Sequence, residues 1–299
     1  MGLIVSAIGQ GLLWAILGLG LFLTFRILDI ADMTVEGTFP LGAAVGVTAI
    51  VNGMSPIVAT LLAMLAGMAA GLITGLLYTK GRIPILLAGI LVMTAAYSVN
   101  LRIMGKSNTS LLGHDTLLKT DFLKSLPTYY DSVVLGMVVI AVITLLLVFF
   151  LQTDLGQAFI ATGDNEKMAK SLGIHTDNMK IMGLMVSNAM VGGCGALIAQ
   201  SNGYADINMG IGTIVIALAS IIIGEVVFGE LTLTQRLVAV TLGSIIYRLL
   251  LLAVLQIGFS ANDLNLLSSI VLAICMMLPQ LSKALHLDTV ISKGVKVND

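Results

Sequence analysis

Between Met1 and Phe25 the chain carries no charged side chain, and between Glu36 and Lys80 it carries none again. Runs of this length admit few folds. About 20 apolar residues wound as an α-helix cross a hydrocarbon core of roughly 30 Å, and a helix satisfies every backbone polar group within itself. A soluble fold would have to hide the same runs behind polar surface that the chain lacks. Only 10% of its residues are charged and 58% are hydrophobic, against about 25% charged in an ordinary soluble domain. The 15 basic and 16 acidic residues nearly cancel, so the chain has no field to hold a polyanion, and a nucleic-acid partner is excluded. Cys194 and Cys275 lie in apolar runs and read as small buried hydrophobes.

The Met1–Phe25 run lacks the basic start and short apolar segment of a signal peptide and is expected to be a retained span. The second run is too long for one crossing, and Asn52-Gly53-Met54-Ser55-Pro56 is its turn signal. Spans are then expected at about 37–52, 56–79, 84–103, 132–152, 180–202, 210–229, 234–257 and 264–281. That makes an all-α, polytopic membrane bundle of about nine helices, with about eight to ten as the range. Lipid is its surrounding solvent. Arg26, Lys80, Arg82, Lys167, Lys170, Lys180, Arg236, Lys283, Lys293 and Lys296 fall on one side; Arg102, Lys106, Lys119 and Lys124 fall on the other. The richer side is cytoplasmic, which puts the N-terminus and a loop at about 104–131 outside. Gly67, Gly71 and Gly75 repeat on one helix face, where bare backbone lets helices approach closely. The partner of that face is either another helix of the same chain or a second copy.

Ionisable residues within spans are expensive and are functional candidates for that reason. Asp29, Asp32 and Glu36 would stack on one face of a continuous helix. Gly37 and Pro40 favour instead a broken helix beside an aqueous path, or a solvated cytoplasmic turn. Glu225 and Arg248 sit in strongly apolar surroundings, and a mutual ion pair is the economical expectation, with a role in the path or in gating as the other reading. Asn188 poses a milder version of the same problem. Gly105-Lys106-Ser107 lacks the earlier glycine of a phosphate-binding loop, since position 100 is Asn100. No nucleotide, metal or nucleophile constellation emerges, and the chain reads as a non-enzyme without a cofactor of its own.

The segment from about 153 to 178 on the cytoplasmic side is the most distinctive. Asp164 is expected as an N-cap, Glu166 suits the positive start of a helix, and Gly173 suits its stop. On the short helix between them, Met168 and Leu172 form an apolar knob beside Ala169, with Lys167 and Lys170 outward. Such a helix is built to dock in a groove on another protein or to lie on the lipid surface.

The Gly163-Asp164-Asn165…Ala169…Leu172-Gly173-Ile174 pattern resembles the coupling loop of ABC-importer permeases of the branched-chain amino-acid/ribose type. The segment from Gly18 to Val45 is similar to the first characteristic region of that family, and the glycine-rich span after the loop is similar too. DMTVEGTFPLG resembles a subgroup paired with tryptophan/tyrosine-type lipoprotein receptors. Where family members often carry an arginine before the coupling helix, this chain has Gln157 and Ala158.

The resemblance implies a type II ABC-importer permease in a bacterial plasma membrane. Residues 1–282 form the transmembrane domain, followed by a cytoplasmic tail at 283–299. The implied partners are a second permease copy or homologue, an extracellular substrate-binding lipoprotein, and cytoplasmic ABC ATPases that hold the ATP and magnesium. Asp164, Asn165, Glu166, Lys167, Met168, Ala169, Leu172 and Gly173 would couple to the ATPase. The cargo would be a small solute of the amino-acid kind. The competing reading is an ion-coupled secondary transporter whose cation site is Asp29, Asp32 and Glu36.

Overall fold

The computed structural model describes residues 2–119, 130–229 and 231–256, with scattered positions between 266 and 277. Among the described residues, six helices are long and apolar enough to cross a membrane. They are α1 (Gly2–Leu21, continued by a π-helical turn Phe22–Ile27), α3 (Pro56–Thr79), α4 (Ile85–Met104), α5 (Tyr130–Gln152), α8 (Thr176–Asn202) and α10 (Leu233–Gln256). Two shorter apolar helices, α2 (Val35–Val51) and α9 (Thr213–Phe228), complete the bundle. On one side, β1 (Asn108–Ser110) and β2 (Tyr204–Asp206) pair antiparallel. On the other lie α6 (Asp154–Asp164) and α7 (Glu166–Ser171). Most of the expected span at 264–281 and all of the tail at 283–299 lie outside the described residues, as does Cys275.

The expected spans at 37–52 and 210–229 are the two short helices, of 17 and 16 residues. Each is preceded by non-helical chain whose residues are partly buried and partly exposed: 28–34 before α2 and 207–212 before α9. Irregular backbone is tolerated at depth only where protein or water satisfies it. Ile30 N–H reaches back to the Thr24 carbonyl at 2.8 Å, and Asp29 takes a left-handed φ of +56° to make the turn. The Asn52–Pro56 turn forms as expected, with Gly53 at φ +87° and Ser55 capping α3.

α8 is the axis of the bundle, 78% buried over its most apolar window, whereas α5 is 17% buried and faces outward. The reason is side-chain size. A Cβ at Gly67 would run into the Asn188 carbonyl, one at Gly71 into that of Leu184, and one at Gly75 would sit 3.0 Å from Ile181 Cα. Gly192 answers from α8 by lying against the Ala63 carbonyl. The glycine stripe of α3 is therefore a seam within one chain. Cys194, fully buried on α8, donates to the Leu13 carbonyl of α1 at 3.3 Å, a packing role as expected.

Candidate functional site

Two places bear on function: the helix-loop-helix at one end of the bundle, and the interior where the two short helices begin.

At the first, Thr153 caps α6 through its hydroxyl, and α6 runs on to Asp164. The N-cap of α7 is Asn165, whose Oδ1 accepts from Met168 N–H at 3.0 Å; Asp164, expected in that role, is the last residue of α6. Asn165 has the extended backbone that an N-cap needs (φ −157°, ψ 96°). Gly173 ends the element at φ +86°. Ala169 is fully buried beneath it, while Met168 and Leu172 stand 47% and 69% exposed, and Lys167 is exposed beside them.

Glu166 ties this element to the membrane domain. It accepts from Lys170 and from Lys180 at 2.8 Å each, and Lys180 is on α8. Those two bonds, Lys170's first, hold its carboxyl down at about 2. Lys180 also lies over the Tyr78 ring of α3, 5.1 Å from its centroid. Gly163 packs on the Ile27 carbonyl at the end of the π-helical turn, so a shift of α6 is felt by the start of the broken helix. Gln157 donates to the Leu151 carbonyl at 2.8 Å.

At the second place, the three acids part company. Asp29 is exposed on the left-handed turn. Asp32 is 3% exposed: its Oδ1 accepts from Thr34 N–H at 2.9 Å and its Oδ2 from Asn188 Nδ2 at 2.6 Å. Thr34 shares a further bond of 2.8 Å with Thr74 of α3. Asp32 and Asn188 thus join the turn to the α3–α8 seam. Glu36 points elsewhere, its Oε1 accepting from Gly212 N–H at 3.1 Å just before α9. The face shared by Asp29, Asp32 and Glu36 on a continuous helix does not exist, because the chain reverses at 28–34. The arrangement does not supply the single cation site of a secondary transporter.

Beside Glu36 opens a cavity of about 360 Å³ between α2, α4 and the 207–211 strand of chain, lined by Glu36, Gly37, Pro40, Met93, Thr94, Tyr97, Ser98, Asn100, Ile207, Asn208 and Ile211. Thr94, Tyr97 and Ser98 had not stood out as candidates because none is charged. Their signal was a run of polar groups in an otherwise apolar span.

Glu225 pairs with Arg26, Nε to Oε1 at 2.7 Å, and not with Arg248. The bond links the end of α9 to the π-helical turn. Arg248 instead lies 4.4 Å over the Trp14 ring, which itself stacks on Phe39 at 5.2 Å. Arg248, the expected partner, is far nearer to Glu225 in sequence than Arg26, and helix periodicity does not reveal a contact between distant segments. Among the described residues, no group of three or more His, Cys, Asp or Glu is placed to hold a metal.

Residues 3–279 match the family described as branched-chain amino acid transport system / permease component. The chain belongs to this family. The permease is 40% identical over 269 residues to the tyrosine transport system permease protein of Clostridioides difficile, covering 90% of this chain and 88% of that one. It is 36% identical over 280 residues to an uncharacterized protein of Rickettsia prowazekii, with 92% and 97% covered. Its fold is similar to a chain of an inward-facing metal-chelate type ABC transporter at a TM-score of 0.52, with 17% identity and 92% and 83% covered. It is similar also to PsaBC from Streptococcus pneumoniae in complex with Fab, at a TM-score of 0.50, with 16% identity and 91% and 89% covered. The permease is a non-catalytic, multi-pass membrane subunit of an ABC importer, with bacterial relatives.

Proposed function

We propose that the permease works as a dimer of permease chains of the type II importer fold, in a bacterial plasma membrane. An extracellular substrate-binding lipoprotein delivers an amino acid of the tyrosine kind, and cytoplasmic ATPases holding magnesium-ATP drive its passage. The observation that carries this reading is α7: a capped helix with Met168 and Leu172 exposed on one side and Ala169 sunk on the other. Two apolar side chains one turn apart are a docking knob for a groove. The Glu166–Lys180 bond makes the knob part of α8 mechanically. ATPase closure that moves α7 would pull on α8 through that bond and on the Arg26–Glu225 junction through α6. The helices around Glu36 would then alternate between open faces, the differential affinity of the partners for the two states supplying the work. The tyrosine assignment draws support from the Clostridioides difficile relative.

The test is purification of the tagged permease from its native membrane in mild detergent, followed by tyrosine uptake in proteoliposomes. An ABC ATPase should come with the wild type and be lost when Met168 and Leu172 both become Asp. Retention of the ATPase by that double variant would reject α7 as the docking element.

A further inference from the structure

The cavity beside Glu36 is more than a gap between helices. Polar side chains at membrane depth face protein or water, since lipid cannot satisfy them. Tyr97 stands 46% exposed on α4, with Thr94 and Ser98 exposed beside it. Glu36 is half-buried there and forms no ion pair with a lysine or arginine among the described residues; Gly212 N–H occupies Oε1 and nothing occupies Oε2. Asn100, on the same cavity wall, is 1% exposed, and its Oδ1 has no hydrogen-bond partner. Leaving a buried acceptor unmade costs about 1–3 kcal/mol. A carboxylate without its cation thus lines the cavity, and a carbonyl without its donor is sealed just behind its wall, one side-chain turn from the space bordered by Met93, Tyr97 and Ile211.

We propose that this cavity is a waypoint for the substrate's ammonium group, with Glu36 supplying the charge, Asn100 the second acceptor and Tyr97 a face for an aromatic or apolar side chain. The proposal deepens the amino-acid reading above and rests on it. An ammonium matches the donor set better than a metal ion does. It needs two or three acceptors, whereas a hard divalent cation takes about six to eight oxygens, with more than one carboxylate in its strong sites. At about 360 Å³ the space is near the lower end of small-molecule pockets. A single charge-assisted contact in an open cavity also holds weakly enough to let cargo leave.

The experiment uses the complete transporter in proteoliposomes, with uptake of tyrosine expressed per assembled permease–ATPase complex. Glu36→Gln keeps an oxygen for Gly212 N–H and removes only the charge. Its uptake should fall about tenfold to a hundredfold, the range for losing a hydrogen bond to a charged group. Asn100→Asp added to Glu36→Gln returns a carboxylate to the cavity lining and should restore much of the loss. A purely structural Glu36 would not be rescued that way. Saturation-transfer NMR on the purified wild-type permease gives a second reading: tyramine should bind, and 3-(4-hydroxyphenyl)propionate, which lacks the ammonium, should not. Uptake by Glu36→Gln within about twofold of wild type overturns the proposal, as does absence of rescue, equal binding of both probes, or displacement of tyramine by equimolar sodium. Failure of the wild-type complex to import any amino acid overturns the functional reading itself, and is told apart because it appears before any variant is made.

Discussion

Asp32 and Glu36 lie one helical turn apart in sequence, yet the protein treats them differently. Asp32 is sealed from solvent, with one oxygen given to Thr34 N–H and the other to Asn188. Glu36 spends one oxygen on Gly212 N–H and leaves the other at the edge of a cavity. A buried acid whose acceptors are filled by its own fold is a fastener. One with capacity left over beside a cavity has something still to bind. The expense of an intramembrane acid does not separate the two; the inventory of partners does.

The largest effect expected is at the seam that holds Asp32's partner. Gly71→Leu drives a side chain into the Leu184 backbone beside Asn188, and overpacking of this kind costs about 3 kcal/mol or more. Little monodisperse protein should survive gel filtration in detergent, and a normal yield would show that the seam is looser than drawn. Asp32→Ala strands Thr34 N–H and one N–H of the Asn188 amide, whose Nδ2 keeps the Leu184 carbonyl, at about 1–3 kcal/mol for a buried group, read as a lowered thermal midpoint. Asp32→Asn is the sharper probe. Asn188 can offer its unpartnered Oδ1 only by giving up the bond from Nδ2 to the Leu184 carbonyl, so stability should drop by about 1–3 kcal/mol. Uptake should persist, in contrast with Glu36→Gln. If both amide variants lose uptake with stability intact, the distinction between fastener and binding group fails.

Smaller still is the Arg26–Glu225 bond. Its side chains are 47% and 24% exposed, so a double-mutant cycle should give about 0.2–1 kcal/mol of coupling, while Glu225 and Arg248 should be additive. The smallest effect is one of pH at Glu166. Its carboxyl is held at about 2 against an ordinary 4.5. The stabilisation from Lys170 and Lys180 is therefore full above about 4.5 and is lost as pH falls toward 2. Pepsin cleavage of the 165–173 segment should rise through that window, and Glu166→Gln should flatten the rise.

Much of the helical framework was legible because it follows from local quantities. Charge-free runs set the spans, and lysine and arginine placed Arg26, Lys80, Lys170 and Lys180 at one end, where Lys80 and Lys170 now border one hollow. The α7 helix was legible too, with its cap one residue off. A side chain one position along can cap equally well, and only the extended backbone at Asn165 selects it. The Glu225 partner was misjudged because Arg248 shares its apolar setting and is near in sequence, whereas Arg26 reads as a residue of the cytoplasmic side.

By itself the sequence determined that this chain is a membrane bundle and where a short capped helix with an exposed apolar pair lies. Those are sums of transfer free energies and charges read along a single stretch. Tertiary structure alone decided that Asp32 meets Asn188 across 156 positions, Glu36 meets Gly212 across 176, and Glu225 meets Arg26 across 199. A periodicity argument assumes an unbroken helix. The reversal at 28–34 invalidates that assumption, and it aims neighbouring carboxylates at opposite walls of the bundle.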